Sequence, residues 1–524
     1  MRIARPLAAA LVLALLAAPR APLAAQQQTV QERLDLSALA RIREEGLTHS
    51  RVDSIVGYMT DVVGPRLTGS TGMRRAQEWA RQTFVSWGLA NVAIEPWDSL
   101  FGRGWDRVSL AGRMVEPYPQ PLDAVAQAWT GSTRGTVTCT VQAVSITADS
   151  ERTRYEGKLR GACVMRQPPR AMTPEWLPSA TRLDADSLLA MANRALTPRP
   201  ATPPPPGAPA GPRPNFQQQQ QFNAQLITWF QQQGVVALLS PSGWGFGMLL
   251  TGGGPQQRQA RDSANFEPMP ALTVSHEHYG QMWRDVQRGV PVRLELNIQN
   301  RFTNPDRREY NVVAEIPGTD LAGQLVMVGA HFDSWHPGTG ATDNGAGSAV
   351  MMEAMRILKT LALPMRRTVR IGLWSGEEQG LIGSRDYVRK HAAEMGSISA
   401  YLNVDNGSGR LRGVYTQSNR DVIPVFETIL SPFRDMGVVT MTLANTGGTD
   451  HLSFDAAGVP GFQFIQDPLD YGTRTHHSNL DTYERLQMDD LKQAATIVAW
   501  SVYTIANRDD MMPRKAPAPP RATN

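Results

Sequence analysis

From residue 309 to 507 the sequence alternates short apolar runs with longer amphipathic ones, and few folds accommodate that rhythm. The apolar runs predict strands at 310–316, 325–330, 368–374, 400–404, 439–443 and 461–465. Between them, helical spacing predicts helices at 346–361, 381–395, 421–436 and 487–506. Such alternation implies an α/β fold: a mostly parallel, mixed sheet sandwiched by helices. In sheets of this kind, ligands bind beyond the carboxyl ends of the strands.

Each of those ends is rich in chemistry. His331, Phe332 and Asp333 follow the second expected strand, and Asp343 precedes the helix after it. Glu377 and Glu378 follow the third strand, Asp405 follows the fourth, and His476, His477 and Asp481 come after the last. Clustered carboxylates repel one another unless cations share them. Carboxylates with imidazoles suit zinc in a catalytic site, and one pair of divalent ions can share a bridging carboxylate. The two cysteines, Cys139 and Cys163, are too few for a thiolate zinc site. Adjacent Glu377 and Glu378 point to opposite sides of an extended segment, so one can bind metal while the other faces a substrate. Asp333, two residues beyond His331, is placed to steady that imidazole, and Asp481 is expected to do the same for His477.

The rest of the chain is organised around this region. Residues 52–63 and 71–87 carry helical spacing on either side of a turn-rich break at 64–70, and 92–97 reads as a strand. Between 105 and 300, short β-like runs recur at 135–144, 161–166, 234–240, 271–275 and 290–298. A Pro/Gln-rich block at 198–221 interrupts them and reads as a surface loop. Residues 1–25 have the basic, apolar and small-residue parts of a secretory signal peptide. Their apolar core at 7–18 is shorter than the roughly 20 residues needed to span a bilayer. The expected organisation is therefore a signal peptide (1–25), an N-terminal part of the main domain (26–104), a β-rich insertion (105–300), the main domain (301–508) and a disordered tail (509–524). Export to a periplasmic or secreted location leaves two outcomes open for the cysteines, a disulfide or two buried thiols. No stable membrane span is expected once the signal is removed. Formal charge is +4 and falls to +1 without Arg2, Arg5 and Arg20, which gives no basis for a nucleic-acid partner.

The ordered set His331–Asp333, Asp343–Gly347, Ser375–Ser384, Asn403–Asp405 and His477–Thr482 resembles the co-catalytic zinc exopeptidases. Members of that family include bacterial zinc aminopeptidases, carboxypeptidase Q and glutamate carboxypeptidase. The 105–300 region looks like the protease-associated domain that several members insert. The resemblance implies two zinc ions and peptide substrates, with hydrolysis at chain ends or in dipeptides. It implies His331 and Asp405 on one zinc, Glu378 and His477 on the other, Asp343 bridging, and Glu377 as the general base for a metal-activated water. His476 stands where many relatives carry a tyrosine that assists the transition state, and a similar role is expected of it. Asp450 and His451 lie in a segment similar to a loop beside the family's substrate cleft, and contact with substrate is expected there. Two alternatives share the same fold: a binding module that has lost catalysis, and another amide hydrolase using the same metal pair.

Overall fold

A computed structural model describes residues 32–194 and 216–515. The expected signal peptide and the proline-rich part of the 198–221 block lie outside the described residues. Two eight-stranded sheets dominate. The first runs in the order Ala90–Pro96, Tyr310–Ile316, Arg367–Trp374, Leu321–His331, Ile398–Asn403, Gly461–Gln466, Leu411–Tyr415, Thr440–Thr442. Its four middle strands, from Arg367–Trp374 to Gly461–Gln466, are parallel neighbours, so they end on one side of the sheet. Ile398–Asn403 and Gly461–Gln466 are buried along their whole length, which is why they are mostly apolar, with Ser399, Asn403, Gln463 and Gln466 as the buried polar exceptions.

Helices cover this sheet. Helix Ala346–Leu361 is buried from Ala346 to Leu358 and packs against Met488–Asn507. The helix even buries Glu353, whose carboxylate accepts from Arg356 Nε at 2.7 Å, Arg51 N–H at 2.9 Å and Ser50 Oγ at 3.0 Å. The bonds from Ser50 and Arg51 fasten the junction between helix Leu36–Thr48 and its successor to helix Ala346–Leu361. Asp35 caps the first helix through Ser37 and Ala38 N–H, and Ser70 caps Thr71–Ser86 through Met73 N–H.

The second sheet runs Gln120–Pro121, Gly104–Glu116, Arg293–Thr303, Val137–Ala143, Ala162–Met165, Ala237–Pro241, Ala271–Val274, Ala124–Ala126 and has its own apolar core. The chain leaves the first sheet's layer at Gly104 and returns at Thr303, and these two residues pair across an antiparallel ladder. Cys139 and Cys163 form a disulfide between neighbouring strands, which decides between the two outcomes left open by the sequence.

Several expectations need correction. Gln217–Gln221 belong to helix Phe216–Gln232, not to a loop, because Leu226, Ile227 and Phe230 further along bury one face. The tail expected to be disordered is packed as far as Arg514: Met512 is 2 % exposed and Arg514 donates to the carbonyls of Met395 and Ile398. The helix expected at 421–436 is broken into Ile423–Leu430 and Ser431–Met436, with Pro432 at the break, where a proline lacks the N–H a continuous helix needs. Strand Leu411–Tyr415 was not expected. Its centre is Gly413, where an added Cβ would lie 1.6 Å from the Thr440 carbonyl oxygen, so the neighbouring strand requires a glycine there.

Candidate metal centre

The strand end at His331 and the loops beyond the strands bring His331, Asp343, Glu377, Glu378, Asp405, His476 and His477 to one crevice. His331 is the last residue of its strand, and its carbonyl accepts from Ser348 Oγ–H at 2.7 Å, which pins the strand end to the following helix. Asp343 lies in the segment Ala341–Gly345 that opens that helix. Asn344 Nδ2–H donates to the Val404 carbonyl at 2.9 Å, clipping this segment to the loop that carries Asp405. Gly347 allows the close approach: a Cβ there would meet Val404 O at 2.1 Å.

The donor atoms meet in a specific way. His331 Nε2 lies 3.2 Å from Asp343 Oδ1 and 3.3 Å from Asp405 Oδ1. His477 Nε2 lies 3.2 Å from Asp343 Oδ2 and 2.9 Å from Glu378 Oε2. Asp343 therefore turns one oxygen to each half of the cluster. Asp343 Oδ2, Glu378 Oε1 and Asp405 Oδ1 are buried without a hydrogen-bond partner. Buried carboxylate oxygens in that condition are costly unless a cation takes them up. The spacing fits one: donors about 2.0–2.1 Å from a tetrahedral zinc stand about 3.3 Å apart.

The electrostatics lead to the same conclusion. Burial pushes Glu377 up to about 11; His331 opposes this, while Asp405, Asp450 and Glu378 add to it. Burial and Asp343 push Glu378 up to about 7 against the pull of His477. Burial disfavours a charged His477, yet Asp343 and Glu378 raise it to about 10. His331 is likewise held well above its ordinary value, since Asp405 and Glu377 outweigh its burial. Such a cluster coexists by taking up protons or by sharing cations.

The supporting residues differ in part from expectation. His331 Nδ1–H donates to the backbone carbonyl of Asp333 at 3.0 Å, leaving Nε2 free to face the cluster. The Asp333 carboxylate, 3.5 Å from the same ring, accepts mainly from Thr68 Oγ1–H at 2.8 Å, with Glu377 N–H at 3.3 Å and Glu378 N–H at 3.4 Å. Asp481 does not steady His477. Its carboxylate accepts from Thr342 N–H at 2.6 Å, Thr342 Oγ1–H at 2.8 Å and Asp343 N–H at 3.2 Å, so it holds the Asp343 segment instead. Burial and the nearby Asp343 raise Asp481 to about 7.

His476 is half exposed, stacks on His477 with ring centroids 3.8 Å apart, and has Nε2 3.8 Å from Asp343 Oδ2. Asp450 and His451, expected to touch substrate, do not line the crevice. Gly447, Gly448 and Thr449 line it, while Asp450, just before the helix His451–Ala456, and His451, its first residue, lie beneath the surface. His451 Nε2 faces the Thr446 carbonyl at 3.3 Å, and the wholly buried Asp450 adds negative charge near Glu377.

Arg66 carried no assignment in the sequence beyond its place in a turn-rich break. It is fully buried, and its guanidinium donates to the carbonyls of Phe332, Thr339 and Gly340, each at 2.8 Å, and of Gly64 at 3.2 Å. The loop between His331 and Asp343 is thus folded around one cation. The only signal for it was a charged residue set between Pro65 and Leu67.

The crevice encloses about 410 Å³ and opens to solvent beside His476. Residues 311–502 match peptidase family M28. Carboxypeptidase Q of Pongo abelii is 27% identical over 481 residues, covering 91% of this chain and 90% of that protein. Among solved structures, a peptidase M28 precursor from Shewanella amazonensis SB2B superposes with a TM-score of 0.65 at 23% identity, covering 93% of this chain and 99% of that one. A zinc aminopeptidase from Bacillus subtilis superposes with a TM-score of 0.55 at 17% identity, covering 87% and 95%.

Proposed function

We propose, from the premise that residues 311–502 are a peptidase family M28 domain and that this chain is a peptidase, that it is a zinc-dependent exopeptidase acting at chain ends or on dipeptides. The observation that carries this reading is the Asp343 carboxylate, with Oδ1 toward His331 and Oδ2 toward His477. His331 and Asp405 would hold one zinc, Glu378 and His477 the other, and Asp343 both. Bound there, the zinc pair would supply an acidified water and positive charge beside the substrate carbonyl.

The chain's own residues do the rest. Glu377 lines the crevice, and among the described residues no arginine or lysine forms an ion pair with it; with the cations in place its carboxylate would take a proton from water and return it to the leaving amine. Asp333 holds Glu377 through its N–H and keeps His331 in the tautomer with a free Nε2. His476, on the open side, would donate a hydrogen bond to the carbonyl oxygen as charge develops. The second sheet would be a protease-associated insertion, and residues 1–25 a signal for export.

The test is a panel of free, N-blocked and C-blocked dipeptides with the zinc-loaded protein. Cleavage of free dipeptides, lost on blocking one end, is expected and identifies the terminus recognised. Cleavage unaffected by either block, or no cleavage of any peptide, would refute the exopeptidase reading.

A further inference from the structure

The two halves of the cation cluster are supported differently. His331 stands at the end of one strand of the first sheet and Asp405 just beyond the end of its neighbour. His477 lies on a loop, with a left-handed φ of 55° that non-glycine residues rarely adopt. Its neighbours bond locally, His476 N–H to the Tyr471 carbonyl and Ser478 N–H to the Thr475 carbonyl, but the His477 carbonyl itself is held from outside the first sheet, by the segment 243–254 of the second-sheet region, the tongue.

Leu250 and Ser478 form an antiparallel bridge. Thr251 N–H donates to the His477 carbonyl at 2.8 Å, and Thr251 Oγ1–H at 3.3 Å. Leu249 N–H donates to Asn479 Oδ1 at 2.8 Å, and Asn479 N–H donates back to the Leu249 carbonyl at 3.1 Å. The tongue is itself anchored. Gly253 pairs with Ala128, Leu250 N–H donates to Ser242 Oγ at 3.3 Å, and Met248 and Leu249 are buried.

A side chain on a loop places its donor atom only as well as its backbone is held. We propose that the tongue is a positioning device for one cation site: the ion at Glu378 and His477 binds tightly only while the tongue is docked, whereas the ion at His331 and Asp405 does not depend on it. This rests on the two-ion reading above. Linkage adds a converse, that filling the His477 site tightens the tongue.

The experiment is a calorimetric Zn²⁺ titration of the full chain after chelator stripping. Asn479→Ala removes the acceptor for Leu249 N–H and leaves every cluster side chain in place. One of the two binding events is expected to weaken at least tenfold, by the scale on which supporting contacts act at metal sites, with the other changed less than about twofold. Asn479→Asp, which keeps the acceptor, is expected to restore most of the loss. Equal weakening of both events, or of neither, overturns the proposal. Hydrogen exchange on the unaltered chain gives a test that needs no variant: the amides of Leu249, Thr251 and Asn479 are expected to gain protection with one of the two equivalents of zinc, and protection unchanged by both overturns it. A chain that binds no zinc refutes the two-ion reading itself. Two ions bound without this difference refute only the role of the tongue.

Discussion

Replacing Arg66 by methionine keeps most of the buried stem and removes the guanidinium. Four carbonyls then lose their donor: those of Gly64, Phe332, Thr339 and Gly340. A hydrogen bond to a charged group is worth about 1.5–3 kcal/mol, so plain addition gives about 6–12 kcal/mol. That sum is too large, because the loop relaxes and water reaches part of it. Removal of one partner from a buried ionic arrangement costs about 3–5 kcal/mol, and we expect a loss near 4 kcal/mol. Burial lowers Arg66 only to about 10, with Asp481, Asp333 and Asp343 opposing the fall, so the group stays charged at neutral pH. Arg66→Lys separates charge from shape. It keeps the charge facing the three aspartates but cannot reach four carbonyls with one ammonium, and it should still lose about 2 kcal/mol. The assay is urea unfolding of the metal-free chain followed by circular dichroism. Arg66→Met within about 1 kcal/mol of the unaltered chain would refute the argument. A Lys variant as stable as the original would show that charge, not the carbonyl clamp, is what matters.

Glu377→Gln should keep its metal content and lose turnover by about 10²- to 10⁴-fold, the contribution typical of a general base; steady-state rates near those of the unaltered enzyme would remove Glu377 from that role. Asp343→Ala should lose zinc at both positions, and two zinc ions per chain by elemental analysis would count against the bridge. Asp386 accepts from Asp98 N–H, Ser99 N–H and Ser99 Oγ–H, and burial is outweighed by Arg389 and these donors, so its carboxyl is held below the usual range. A depressed folded pKa contributes stability above the unfolded value near 3.9 and loses it as pH falls through the folded value. Asp386→Asn should therefore cost about 1–3 kcal/mol at pH 7, with the gap closing below about pH 4; a gap independent of pH would be inconsistent with this.

What the sequence disclosed follows the physics of burial. Strands covered on both faces appear as predominantly apolar runs, and the helix Ala346–Leu361 was legible to the residue because its apolar face is wide. The acids and imidazoles at strand ends were legible because side-chain chemistry is written in residue type. Asp481 was not assigned correctly, since its partners are backbone N–H groups that every residue carries. For the same reason the glycine-rich tongue carried no signal: it acts chiefly through the Leu249 N–H and carbonyl and the Thr251 N–H. The strand Leu411–Tyr415 was hidden by Arg412 and Gly413, the second of which is present to make room for a neighbour. Pairing of Cys139 with Cys163 depends on which strands lie side by side, and local sequence does not specify that order.

The pairing of Gly104 with Thr303 has a consequence for how this chain can vary. Everything between those residues leaves and rejoins through a single seam, whose edges are about 5 Å apart, the spacing of ordinary strand partners. Covalently, the intervening stretch hangs from the first sheet like a bead on a loop of thread, and its length or internal packing can change without re-routing the strands that bear His331, Glu378 and Asp405. The hydrogen bonds from Leu249 and Thr251 to the His477 loop are among the contacts that tie its surface, and not merely its endpoints, to the chemistry, together with the Glu175–Arg474 ion pair and the bond between His336 and the Ala126 carbonyl.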